Sequence, residues 1–261
     1  MYKFKTIILL LFISPSIFAN SWPDFNLLTA SRTQLPAPIK ITVYKDPVYN
    51  TKKLYLAYPL AEIVNSLAKE STKPLINSIL VFTATDGYKV TMSYQDALLE
   101  KGYIAFKDLS AKNESWVKFK FGNESITPAP YYLVWTNPEL DKWRYPSPFQ
   151  LTSISLQSVE NYFSAAVPVS NNIRVKQGFS LFSRYCIRCH SVNHTGGKLG
   201  PELNLPKNIT DYYTEQKLTD FILDAPSFRP KTKMPVFKNI LNNEDALTIQ
   251  HYLKAMKTKK E

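Results

Sequence analysis

The chain has 261 residues, of which 44% are hydrophobic and 20% charged. That balance supports one large or two ordinary packed domains and excludes a disordered or fibrous chain. The formal net charge is +11, which points to an acidic partner or a nucleic acid. The excess is uneven: residues 166–261 hold 15 basic and 8 acidic residues, a net +7.

Residues 1–19 read as a secretory signal. Lys3 and Lys5 start it, Thr6 to Phe18 is an apolar run broken by Ser14, Pro15 and Ser16, and Ala19 is a small residue suited to cleavage. An uncleaved N-terminal anchor is the other reading of this segment. No later segment reaches the ~20 apolar residues of a membrane helix. A periplasmic protein is therefore expected, associated with a membrane only if the N-terminal segment is retained. Export argues against nucleic acid as the partner.

Residues 20–167 have the texture of one α+β, β-rich domain. Apolar and aromatic runs recur at Ile41–Tyr44, Ile79–Thr83, Tyr88–Met92, Tyr103–Phe106, Trp116–Phe121, Tyr131–Trp135 and Leu151–Leu156. In the fifth run Trp116, Lys118 and Lys120 alternate with Val117, Phe119 and Phe121, the period of a half-buried strand. Asp86-Gly87 between two runs signals a hairpin. Helices are expected at Pro59–Ala68, where Leu60, Ile63, Val64 and Leu67 recur at helical spacing, and at Ser93–Glu100, capped by Ser93. Core packing is the expected use of Tyr131, Tyr132, Trp135, Trp143 and Tyr145, with an exposed docking set as the alternative. Asp86 and Asp96 are read as turn and helix-surface carboxylates rather than an acid–base pair.

Pro168–Asn172 is a polar linker, and residues 168–261 change to helical texture. Helices are expected at Arg174–Arg188 and Thr214–Leu223. A last one runs from about Asn243 to Lys257, with Asn242 or Asn243 as cap and Glu244 and Asp245 in its first turn. A glycine-rich loop and a proline-bearing loop, Ala225–Phe237, separate them.

The only two cysteines form Cys186-Ile187-Arg188-Cys189-His190. C-x-x-C-H is the attachment signature of c-type haem. Residues three apart share a helix face, so both thiols can reach one porphyrin edge. A disulfide or redox dithiol and a zinc site are the alternatives, the latter short of two ligands.

Around this motif, residues 174–257 resemble class I cytochrome c. Gly178-Phe179-Ser180-Leu181-Phe182 precedes the motif, Gly200-Pro201-Glu202-Leu203-Asn204 follows it, Lys233-Met234-Pro235 sits in a loop before the last helix, and Tyr252-Leu253 lies in that helix. The resemblance implies an all-α domain binding one covalent haem c through Cys186 and Cys189, with His190 and Met234 as axial ligands. It also implies that the Pro201 carbonyl accepts a hydrogen bond from the second nitrogen of His190, and that the last helix crosses the first at Gly178. Met92 lies in the other domain and Met256 near a helix end. His194 is too near His190 to reach the opposite face, and His251 reads as a solvated helix residue. Leu203, Ile222, Met234, Val236 and Phe237 are expected to wall the haem.

Residues 79–156 faintly resemble the molybdopterin-binding domain of sulfite-oxidase-like proteins, through the Asp86-Gly87-Tyr88 hairpin, the strand after it and a proline-rich turn. The departure is the cysteine ligand, since both cysteines belong to the haem motif. The expected function is outer-sphere electron transfer to or from an acidic redox protein, with the N-terminal domain as a docking accessory. The alternatives are the haem subunit of an oxidoreductase, whose N-terminal domain binds substrate or a molybdopterin-like cofactor, and a haem-based gas sensor.

Overall fold

The computed structural model describes residues 23–30, 34–122 and 124–260. The signal segment 1–19 lies outside them. Among the described residues no helix is long and apolar enough to cross a membrane.

In chain order the N-terminal region runs β1 (Asp24–Asn26), β2 (Ile39–Val43), β3 (Lys53–Pro59), α1 (Leu60–Glu70), β4 (Ser78–Ala84), β5 (Lys89–Ser93), α2 (Tyr94–Leu99) and β6 (Gly102–Asp108). It continues with β7 (Phe119–Phe121), β8 (Glu124–Ile126), β9 (Tyr132–Trp135), β10 (Leu151–Ser158) and α3 (Val159–Phe163). Two antiparallel four-stranded sheets result, ordered β1-β10-β4-β5 and β2-β3-β6-β9. Helix α1 lies between them. Its buried stripe, Leu60, Ile63, Val64 and Leu67, packs with Leu80 and Phe82 of β4 and with Ile104 and Leu133 of the second sheet. The second sheet buries its other face as well, through Tyr55, Ala57, Tyr132 and Val134.

The expected hairpin is present. Gly87 takes a φ of 81°, and the Asp86 carboxylate accepts from the Tyr88 amide at 2.9 Å. Ser93 caps α2 as expected, accepting from the Asp96 amide at 3.4 Å. Two expectations change. Strand β3 was not anticipated, because Leu54-Tyr55-Leu56-Ala57-Tyr58 is apolar throughout and runs straight into α1, with neither alternation nor a turn signal to mark it. The run Trp116–Phe121 pairs only from Phe119 onward, and its apolar set does not share one buried face. Val117 and Phe121 are exposed, while the Trp116 ring turns in against Tyr55 and Tyr132. Of the five aromatics considered for docking, Tyr132, Trp135 and Tyr145 are buried, so that set is not an exposed surface.

The C-terminal region comprises α4 (Ile173–Tyr185), β11 (Ser191–Val192), β12 (Thr195–Gly196), α5 (Glu215–Leu223), α6 (Ala225–Phe228) and α7 (Asn243–Ala255). It is helical but not all-α: β11 and β12 form a hairpin turned by Asn193 and His194, both at positive φ (51° and 62°), as a tight two-residue turn requires. Asn242 and Asp245 close a reciprocal capping box on α7. Helices α4 and α7 cross at Gly178, where an added Cβ would stand 2.1 Å from the Thr248 carbonyl oxygen. Tyr252 packs on Phe179 and Phe182 at this crossing.

The two regions share a core. Strand β4 turns Leu80 and Phe82 toward α1 but Ile79 and Val81 toward the helices, where they join Phe163, Phe179, Phe182 and Tyr252. A strand covered on both faces needs apolar residues at nearly every position, and Ser78–Ala84 is buried at all but one. Residues before the linker also belong to this shared core: Ala166 is fully buried, and its carbonyl accepts from the Tyr252 hydroxyl at 2.8 Å.

Candidate haem-binding site

Cys186, Cys189, His190 and Met234 all line one cavity of about 560 Å³, a volume suited to an organic cofactor. Helix α4 ends at Tyr185, and the chain then tightens into a turn in which the Cys189 and His190 amides both donate to the Cys186 carbonyl, at 3.0 and 2.9 Å. This turn presents both sulfur atoms and the imidazole to the cavity. No disulfide joins Cys186 to Cys189. Burial pushes the Cys186 thiol up to about 12 and the Cys189 thiol up as well. Among the described residues no group of three or more His, Cys, Asp or Glu is placed to hold a metal ion.

The His190 ring is fixed from behind. Its Nδ1 lies 2.9 Å from the Pro201 carbonyl oxygen. A carbonyl only accepts, so Nδ1 carries the proton and Nε2 keeps its lone pair. Burial pushes the imidazole below its ordinary pKa, with the Pro201 bond working the other way. Gly200 lies flat on the ring: a Cβ there would come within 2.5 Å of Cε1. Any side chain at 200 would displace the imidazole.

Met234 enters from the opposite loop. Its amide donates to Thr232 Oγ1 at 3.1 Å, and the amides of Phe237 and Lys238 both donate to the Leu223 carbonyl at 2.9 Å. The loop is thereby tied to the end of α5. The other candidate ligands lie elsewhere. Met92 belongs to the N-terminal core, and Met256 is buried beneath α7. His194 sits exposed at the hairpin tip, and His251 does not line the cavity.

Four of the five expected wall residues are in place: Leu203, Ile222, Met234 and Phe237. Val236 is not. It is 38% exposed, because its backbone bridges Asp224 and turns its side chain outward. The wall that sequence reasoning missed comes from the N-terminal region. Trp143 lines the cavity and packs on Phe237 at 5.4 Å between ring centroids. It is locked to the haem motif by Arg188, whose guanidinium donates to the Trp143 carbonyl at 2.8 Å and to the Thr91 carbonyl at 3.3 Å, and by the Tyr185 hydroxyl, which donates to Asp141 at 3.0 Å. No local pattern marks a tryptophan 43 positions before the first cysteine as a wall of this cavity; only the fold reveals it.

The loop carrying Pro201 is held by buried amides. Asn204 and Asn208 are fully buried. Asn204 Nδ2 donates to the Met256 carbonyl at 2.9 Å and to Asn193 Oδ1 at 2.7 Å, and Asn208 Nδ2 donates to the Leu253 carbonyl at 2.8 Å. Glu202 accepts from the amides of Asn193, His194 and Asn204 at 2.9, 3.0 and 2.9 Å. Burial opposes its charge, yet these bonds and one from the Ser191 side chain prevail and hold its carboxyl below the ordinary value. A depressed carboxyl contributes stability that is complete above the unfolded value, 4.5, and is lost as pH falls through the folded one. Glu202→Gln is therefore expected to lower the melting temperature at neutral pH and to flatten its acid decline, read from melts at several pH values. An unchanged acid decline would remove Glu202 from this role.

Residues 175–257 match the family model for cytochrome c. This stretch is a cytochrome c domain. The assignment carries haem c binding and haem-based electron transfer with it. The donor set fits the group: two thiols, an imidazole with one nitrogen free and a thioether border a cavity with largely apolar walls.

Proposed function

We propose that the protein is an exported single-haem c-type cytochrome that passes electrons between partner proteins by outer-sphere transfer. The observation that carries this reading is the convergence of Cys186, Cys189, His190 and Met234 on one cavity, with His190 Nδ1 already engaged by Pro201.

In this reading Cys186 and Cys189 hold haem c covalently through thioether bonds. His190 Nε2 and the Met234 sulfur would hold its iron. Bound haem c supplies a one-electron iron couple, and Met/His ligation raises its potential. The Pro201 carbonyl keeps the His190 ring oriented and its Nε2 basic. Two protein ligands leave no position open, which favours electron transfer over gas sensing or oxygen chemistry. Trp143, Phe237, Leu203 and Ile222 exclude water. A dry site keeps solvent reorganisation small.

Lys207, Arg229 and Lys233 stand at the cavity's border and are exposed. An acidic redox partner docking there is steered by their charge, and its association rate falls with added salt. The N-terminal region supports the electron carrier as an accessory, holding the haem motif through Arg188 and offering surface to the partner.

The test is haem stoichiometry on the matured protein. One haem per chain that stays with the polypeptide through denaturation and acid–solvent extraction is expected, and Cys186→Ala combined with Cys189→Ala should release it. Extractable haem in the parent protein, or a second covalent haem, would overturn the reading.

A further inference from the structure

A second cavity, of about 340 Å³, lies where the first sheet and the Trp143 loop meet helix α4. Its charged lining is unbalanced. Arg144, Arg184 and Arg188 face it, against one carboxylate, Asp96. Asp96 is 5% exposed and takes Arg144 Nη2 at 2.6 Å and Arg184 Nη2 at 3.5 Å. Arg188 spends its Nη2 on the two neutral carbonyls already described. Two donors remain: the Nε atoms of Arg144 and Arg188 are buried, with no hydrogen-bond partner among the described residues.

Native proteins rarely leave buried polar atoms unmatched. Three guanidinium groups against one carboxylate leave two positive charges facing the space. The rest of the lining includes hydroxyls and amides: Ser93, Ser180, Ser183, Thr91, Asn77 and Gln95. Polar walls of this kind suit an ion more than an apolar body.

We propose that this cavity binds a small tetrahedral dianion, of the sulfate or phosphate kind. The planar guanidinium fork fits such an oxyanion with paired donors, and Arg144, Arg184 and Arg188 all line the space. The Ser180 and Ser183 hydroxyls flank them on α4. A dianion cancels the two charges. Arg144 belongs to the N-terminal region, whereas Arg184 and Arg188 belong to the haem-bearing helix and motif, so the bound ion joins the two. Trp143 walls this cavity as well as the haem cavity, which places the ion next to the haem site without making it part of that site.

Calorimetric titration of the full-length holoprotein with inorganic phosphate, and separately with sulfate, tests this at constant ionic strength. One equivalent per chain should bind for each dianion, and chloride should not compete. Arg144→Gln should weaken binding at least tenfold. Ser183→Asp, which places a carboxylate beside the arginines, should abolish binding with the haem spectrum unchanged, and it carries the test if the arginine variant fails to fold. Unsaturable heats, equal binding of chloride, or full binding by Ser183→Asp would each overturn the site.

Discussion

A Met234→Ala protein is expected to bind carbon monoxide in its reduced form and to lose potential. Alanine has no sulfur, so under the proposed ligation the iron loses one of its two protein ligands. The loop should otherwise survive. The amide at 234 still donates to Thr232 Oγ1, and Phe237 and Lys238 still donate to the Leu223 carbonyl. The change is therefore in ligation rather than in fold. Axial ligands tune haem potentials over roughly 0.8 V, and loss of the thioether should cost on the order of a tenth of a volt or more of that span. A reduced-minus-oxidised titration with and without carbon monoxide reads both effects. A variant that keeps a low-spin six-coordinate spectrum and the parent potential would remove Met234 from the site.

Gly178→Val should be among the most damaging single changes outside the ligands. At Gly178 a Cβ would meet the Thr248 carbonyl oxygen at 2.1 Å and the Tyr252 Cβ at 2.8 Å. The first obstacle is backbone, which cannot swing aside like a flexible side chain. Helices α4 and α7 must then separate, and their separation loosens Phe179, Phe182 and Tyr252 together. Overpacking of this kind costs about 3 kcal/mol or more, which for a chain of this size lowers the melting temperature by roughly 6 °C or more. Melts followed by haem absorbance check it. Even Gly178→Ala should show a clear loss, and an alanine variant melting with the parent protein would show that the crossing is looser than described.

The features legible before the fold was known are those written in short stretches of chain. The cysteine pair and His190 fall within five residues, Gly200-Pro201 follows them, and Met234 precedes Pro235 in a loop. The resemblance to class I cytochrome c marks Gly178 as the place where the last helix crosses the first, and its missing side chain permits that approach. What stayed hidden depends on distant packing. Trp143 is a pocket wall only because Arg188 and Tyr185 clasp the loop that carries it. Ile79 and Val81 belong to the haem-domain core because β4 is sandwiched between two packed layers. Val236 looked inward by hydrophobicity, but its backbone pairing with Asp224 decides otherwise. The Asn193–His194 turn carried only a weak local signal, a single asparagine at the start of a glycine-rich loop.

The central claim is an iron closed by two protein ligands. It is tested most directly by adding carbon monoxide to the reduced, matured parent protein and recording the optical spectrum. No change is expected under the proposed ligation, in which the His190 imidazole and the Met234 thioether both hold the iron. Rapid, saturable carbon monoxide binding by the parent protein would contradict it and would move the sensing or catalytic readings ahead of electron transfer.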